Sequence, residues 1–460
     1  MNTLKSLVVD VPEDVKKLVT YGDFNGAEEL IDIYMKRNIP PILKERLTFE
    51  RHRMNRLKNE YIYSYDQALK MAGEKIKDFT KEELDELRKE RYADWAYIDG
   101  KVMFHKRFLE NIIKIHPEME KRLIDRNDED AKKAQVLEDT IDEIINEGQK
   151  SFFIHLKTGI KLKKEYAKTG ETIRVYLPIP KKAQQIRNIK ILNTSHKPKF
   201  ISPEDYPQRT IYFEEKVKGE DIFTVEYSYE NHIKYNELDF TNVSDIQPNF
   251  YTEEWLPHIR FTPFLVSLTE EIIGEETNPL KKARKIYDYI TQNVQYSFVR
   301  QYAGILNIPE YAAYNLKGDC GVQALLFITL CRIAGIPARW QSGLYVNPFS
   351  IGCHDWAEFY IEPYGWLFAD LSFGGSGYRR GNEKKWNFYF GNLDPFRMVA
   401  NSAFQYDFLP QKNYLRIDPY DNQVGEAEYI DEGIYSEGFE SIMKIIDIHE
   451  IKKQIGPYPA

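Results

Sequence analysis

"NLKGDCGVQALLFITLCRIAGIPARW", residues 315–340, decides how the rest of the chain is read. From Val322 to Ala334 most positions are apolar on all sides, the pattern of a helix buried at the centre of a domain. Gly335 and Pro337 end it. Asp319 is placed to cap its N-terminus, which puts Cys320 in the first turn. Core packing does not require a thiol there. The unpaired N–H groups and the helix dipole favour an anion at that point, so a thiol ionises more easily. The same N–H groups can stabilise an oxyanion. A cysteine that is merely small and buried fits this segment equally well, so the choice depends on which other side chains the fold brings to it.

The other two cysteines are expected to be packing residues. Cys331 lies eleven residues further along the helix, about 16 Å away at 1.5 Å per residue, and cannot pair with Cys320. Cys353 precedes a histidine on a predicted strand, so its side chain points to the opposite face.

The partners come from "CHDWAEFYIEPYGWLFADLSFGG", residues 353–375, which reads as two strands around "EPYG". His354, Trp356, Glu358 and Tyr360 share one face of the first strand. Trp366, Phe368 and Asp370 share one face of the second. In an antiparallel pair, opposed residues keep a constant index sum and a common face. His354 and Asp370 therefore share a face if the connection has an odd number of residues. A three-residue loop at 362–364, followed by Gly365 in a left-handed conformation, meets that condition. Residue 361 then opposes 365, and His354 and Asp370 become diagonal neighbours. An even-numbered loop without a bulge would put them on opposite faces. A lone strand histidine is usually structural, and Asp370 alone could be a cap. A helix-start cysteine followed by a strand histidine and an aspartate across a hairpin is a far rarer combination.

These residues resemble the transglutaminase-like superfamily, the papain-related group with Cys, His and Asp in that chain order. The matching pieces are "GDCGVQALLFITLCRIAGIPARWQSG", "HDWAEFYIEPYGW" and "FADLS", and the resemblance covers roughly residues 265–380. It implies Cys320 as nucleophile, His354 as base and Asp370 as the acid that orients it. Trp356 and Glu358 fit the pattern of a tryptophan and an acid after the histidine. Gln341, on the strand after the helix, is a candidate for the side-chain oxyanion donor, and Trp356 for a substrate contact. The implied fold is a Cys-bearing helix packed on an antiparallel sheet that carries His and Asp. The implied geometry puts the Cys320 sulfur within roughly 4 Å of a His354 ring nitrogen. The implied activity is acyl transfer at amide bonds of proteins or peptides, by hydrolysis or transamidation through a thioester. No cofactor and no metal site is implied, and no acidic cluster suited to calcium is evident. The alternative is a catalytically silent scaffold that binds a protein partner through its helical arm.

Outward from this core, the chain reads as an α+β multidomain protein. Residues 1–150 show three- and four-residue apolar spacing and are expected to be helical, with Thr80 and Glu83 spaced as a capping box. Residues 151–245 switch to period two and are expected to form a β-sandwich, similar to the β-domain that often precedes this core in bacterial members. In "TIRVYLPIP", Ile173, Val175 and Leu177 face one way. "RTIYFEEKV" and "DIFTVEYSY" read as a hairpin. Residues 246–435 are the expected core, and residues 436–460 an expected C-terminal helix and tail.

Composition excludes other classes. A net charge of −8 argues against general nucleic-acid binding, which needs basic clusters. The 32 tyrosines and 26 phenylalanines are read as core and rim rather than a binding platform. No stretch approaches the roughly 18 apolar residues of a membrane span, and the opening "MNTLKSLVVDVPEDVKKL" lacks the apolar run of a signal peptide. Three cysteines without a C-x-x-C pattern suit a reducing compartment, and a cytoplasmic protein is expected.

Overall fold

The computed structural model describes residues 3–125, 129–416 and 420–452. The chain divides into two units. The first takes in Met1–Asn127, Glu254–Leu265 and Gln292–Leu326, the second Asp128–Glu253, Val266–Thr291 and Phe327–Ala460.

In the first unit, helices Glu13–Thr20, Phe24–Met35 and Pro41–Glu60 enclose a core of Val15, Phe24, Ile31, Leu47, Met54 and Leu57. A second core gathers Ala68, Leu84, Leu87, Phe104, Phe108 and Ile112. Thr80 and Glu83 form the expected capping box on helix Lys81–Lys89. The N-terminal region is not helical throughout. Strands Tyr61–Ser64, Lys101–His105 and Trp95–Ile98 make an antiparallel sheet in that order. Ile98 pairs with Lys101 across Asp99 and Gly100, both at positive φ, a two-residue turn that suits the twist of a hairpin. The strands are only four or five residues long, too short to show against the helical period around them.

The second unit contains the expected sandwich, in a different connectivity. One sheet orders Gly433–Ile434, Glu426–Tyr429, Thr172–Pro178, Thr210–Lys216 and Phe200–Ile201. The other orders Phe439–Glu450, Gln149–Leu162, Ile222–Lys234 and Ile186–Thr194. Ile173, Val175 and Leu177 of the first share one buried core with Ile154, Leu156, Val225 and Tyr227 of the second. The expected hairpin is absent: Thr210–Lys216 and Ile222–Lys234 lie in different sheets. Each strand has its own inward apolar row, Ile211 and Phe213 on one and Phe223, Val225 and Tyr227 on the other. Two such rows are buried better facing each other across a sandwich than side by side.

The C-terminal helix expected near residues 437–452 is instead strand Phe439–Glu450, antiparallel to Gln149–Leu162. Its isoleucines recur at helical spacing, but they are β-branched and the long Gln149–Leu162 strand needs a neighbour on that side. Residues 453–460 of the expected tail lie outside the described residues.

The second unit also carries a five-stranded antiparallel sheet, in the order Phe390–Gly391, Gly365–Ala369, Ser350–Ile361, Ala338–Asn347, Arg397–Asn401. Among the described residues, no helix is long and apolar enough to cross a membrane.

Candidate active site

Helix Cys320–Ile333 begins where the sequence predicts. Asp319 Oδ1 accepts the Val322 N–H at 3.0 Å and the Tyr302 hydroxyl at 2.7 Å, so the cap is itself held. Just before it, Lys317–Gly318 pairs in parallel with Gln295–Tyr296. A Cβ on Gly318 would come within 2.3 Å of Val322 Cγ1, so this approach needs glycine. Cys320 is half-buried in the first turn. At the other end Gly335, at φ +77°, closes the helix, and the Ile336 N–H reaches back to the Cys331 carbonyl at 2.8 Å. In the second unit, Phe327 of this helix packs edge-on against Phe359 of the sheet, with ring centroids 5.7 Å apart. Cys331 is buried, as expected, and burial pushes its thiol well up. Cys353 is exposed rather than packed, because residues 350–352 beside it are only half-covered.

The hairpin has the odd-numbered connection that parity demands. Ile361 pairs with Gly365, at φ +78°, around residues 362–364. His354 and Asp370 are then diagonal neighbours, and His354 Nε2 lies 2.7 Å from Asp370 Oδ2. Asp370 is fully buried, and both its carboxylate oxygens are hydrogen-bonded. Its Oδ1 accepts the Phe373 N–H and the Ser372 hydroxyl, both at 3.0 Å, which caps helix Leu371–Arg379. Its Oδ2 also accepts Arg397 Nη1 at 2.8 Å. Arg397, fully buried, bonds Asp394 through Nε and Nη2, and Asp394 in turn takes the Tyr389 hydroxyl and the Phe396 N–H.

Burial alone would push the Asp370 carboxyl up. The His354 and Arg397 charges and the hydrogen bonds outweigh it and hold the group well below the usual carboxylate range. Burial pushes the His354 ring down, and the neighbouring Asp370 does not fully restore it. The His354 interaction, then Arg397 and the Phe373 N–H, together keep Asp370 ionised. The His354 shift fixes a sign. The unfolded chain, with a histidine pKa near 6.5, takes up this proton more readily than the folded one. The contribution of His354 to stability is therefore full above about pH 6.5 and declines as the pH falls below it. Urea denaturation at pH 7.5 and pH 5.5 should show a larger acid loss in the wild type than in His354→Gln. Equal losses would mean that this ring does not resist protonation.

Gln341 and Trp356 stand on the face of His354, since Gln341 opposes Trp356 and Gly343 opposes His354. Gln341 Oε1 accepts Trp356 Nε1 and Gln185 Nε2, each at 2.9 Å. Trp356 is fully buried, with its ring 6.0 Å from that of His354 and nearly parallel to it. Trp356 thus packs beside the imidazole, with its indole N–H held by the Gln341 carbonyl. Glu358, also buried, is held by Arg339 Nε at 2.7 Å and Gln184 Nε2 at 2.8 Å.

Arg397, Asp394 and Ser372 were not found from the sequence. Their signal is a cation within the strand Arg397–Asn401, where every residue is buried. A charge in such a run must have a partner, and Asp394 stands three residues before it. The sheet is also tight here. A Cβ on Gly343 would lie 2.0 Å from the Met398 carbonyl oxygen. Gly343→Ala should thus force the Ala338–Asn347 and Arg397–Asn401 strands apart and cost about 2–3 kcal/mol in urea unfolding. An unchanged midpoint would show that the strands can separate freely.

Among the described residues, no group of three or more His, Cys, Asp or Glu side chains is arranged to hold a metal ion. Residues 266–371 match the family model of the transglutaminase-like superfamily, a span that contains Cys320, His354 and Asp370. An uncharacterized protein of Haemophilus influenzae is 27% identical over 223 residues, which are 41% of this chain and 60% of that relative. The chain thus spans about three fifths of the relative's length. Among solved structures, a candidate cysteine protease from Cytophaga hutchinsonii aligns at 15% identity and TM-score 0.38, covering 68% of this chain and 94% of that one. The periplasmic domain of TgpA from Pseudomonas aeruginosa aligns at 12% identity and TM-score 0.28, covering 54% and 95%.

Proposed function

With residues 266–371 a transglutaminase-like domain, we propose that the protein is a cysteine-dependent acyl-transfer enzyme acting on amide bonds of proteins or peptides. The observation that carries this proposal is the 2.7 Å hydrogen bond from His354 to a buried carboxylate that also accepts Arg397 Nη1 and is held well below the usual carboxylate range. Such a bond fixes the ring tautomer and stabilises the imidazolium once it forms. It commits Nε2 to Asp370 and leaves Nδ1 to exchange a proton with the nucleophile. Cys320, at a helix start, has the position in which a thiolate is stabilised.

In the proposed reaction His354 takes the proton of the Cys320 thiol, and the sulfur attacks the amide carbonyl. The N–H groups of the first helical turn face the oxyanion. The C–N bond then breaks, His354 gives its proton to the leaving amine, and a thioester remains on Cys320. Water resolves it to an acid, or a second amine resolves it to a new amide. A working thiol also belongs in a reducing compartment, and we place the protein in the cytoplasm on that ground.

Alkylation by iodoacetamide at pH 6, read by mass spectrometry, tests the proposal without a known substrate. Cys353 is exposed and serves as the internal reference. An ordinary thiol is poorly ionised at that pH, whereas an activated one reacts. Cys320 should react at least about tenfold faster than Cys353, and His354→Gln should remove the difference. If Cys320 reacts no faster than Cys353, it is not an activated nucleophile.

A further inference from the structure

A cavity of about 430 Å³ opens in the first unit, between the segment 88–95 and the segment 300–317. Arg88, Lys89, Arg91, Arg300 and Lys317 line it, against one carboxylate, Asp94. The whole chain carries a net charge of −8, so this excess of cations does not follow from composition. Asp94 accepts the Tyr61 hydroxyl at 3.0 Å and offsets part of the charge of Arg300 and Lys317, which leaves the five cations in excess.

Arg300 feels Asp94 and Glu60 through space, but its hydrogen-bonding capacity is not filled. Among the described residues no carboxylate lies within ion-pair distance of it, and its buried Nε has no hydrogen-bond partner. Its guanidinium stands 5.6 Å from the centre of the Tyr311 ring. A buried N–H without an acceptor is costly, and a ligand in the cavity would supply one to this half-buried side chain. Arg91 adds a second sign. It sits at φ +67°, just past the end of helix Lys81–Lys89, a position that usually falls to glycine. The side chain kept at that cost reaches Asn315 Oδ1, while the Arg91 carbonyl accepts Lys317 Nζ at 2.7 Å. Arg88 lies over the Trp95 ring, 5.4 Å from its centre, and among the described residues its one ion-pair contact is Asp85 at 3.9 Å.

We infer that this cavity is a binding site for a small polyphosphorylated molecule of about nucleotide size. A single carboxylate would leave most of the lining charge unmatched, whereas two or more phosphate groups meet several guanidinium forks at once. The volume falls within the range of small-molecule sites. Lys317 also belongs to the strand pair that leads into Asp319 and Cys320, so occupancy of the cavity bears on the turn that presents the thiol. Binding itself does not depend on the catalytic proposal.

Titration calorimetry of the full chain in 150 mM salt, with inorganic pyrophosphate, ADP and adenosine as probes, tests the inference. Pyrophosphate and ADP should bind with one-to-one stoichiometry at micromolar Kd, and adenosine should not bind. ADP binding tighter than pyrophosphate points to a nucleotide, and equal binding to the phosphates alone. Arg300→Met and Arg88→Glu should each weaken pyrophosphate at least about tenfold. Arg88 is partly exposed, so Arg88→Glu decides the matter if Arg300→Met does not fold. Binding weaker than millimolar for both phosphates, or equal binding by wild type and Arg88→Glu, overturns the inference.

Discussion

Cys320→Ala should reduce amide turnover by at least about 10⁴-fold while the protein stays folded. The step lost is formation of the thioester, which no neighbouring group can perform. Alanine is small and a good helix former, and Cys320 is only half-buried, so unfolding in urea should shift by about 1 kcal/mol or less. The helix N-terminus does not rest on the thiol: Asp319 caps Val322, and Gln323 Nε2 donates to the Gly318 carbonyl at 2.9 Å. Turnover can be read by mass spectrometry on a defined peptide library, under single-turnover conditions with wild type and variant side by side. If the variant cleaves or transamidates the same peptides at the wild-type rate, another residue is the nucleophile.

Asp370→Asn should lower the rate by about 10³- to 10⁴-fold and stability by about 3–5 kcal/mol. The rate falls because an amide can donate to the ring as well as accept from it, and so no longer dictates which nitrogen carries the proton. The stability falls because Arg397 Nη1 then faces a neutral group in a fully buried site. The two effects separate in Arg397→Met, which removes the cation but keeps the carboxylate beside His354. It should share the loss of stability and retain more of the rate. A positioning role also predicts that kcat falls while KM holds. A rate for Asp370→Asn within about threefold of wild type would mean that a different acid orients the ring. Asp355 is its neighbour in sequence, but it faces away and is engaged by Gln423 Nε2.

The elements around the proposed site were legible because each depends on short-range rules. Asp319 caps the helix, Gly335 ends it, and the odd loop before Gly365 puts His354 and Asp370 on one face. What was not legible depends on partners distant in sequence. Thr210–Lys216 and Ile222–Lys234 alternate just as a hairpin would, and only the opposing sheets show that they part. Phe439–Glu450 carries an ambiguous isoleucine spacing, settled by the edge it joins. Arg397 looked like one cation among many until the burial of its strand gave it Asp370 and Asp394 as its neighbours. Trp356 carried a family pattern, but its full burial beside His354 was not legible from that pattern.

The pairing of Phe439–Glu450 with Gln149–Leu162 bears on how the chain reaches this structure. The five-stranded sheet with its histidine lies in the sequence between those two strands. Pairings this distant close slowly, because loop-closure entropy must be overcome before any contact rewards it. During synthesis, Gln149–Leu162 emerges long before its neighbour exists and carries an open strand edge until then. Such an edge pairs readily with other chains. Chains truncated before residue 439 should therefore be sensitive to protease and prone to association, whereas released chains that include residues 439–450 should become resistant in a single late step.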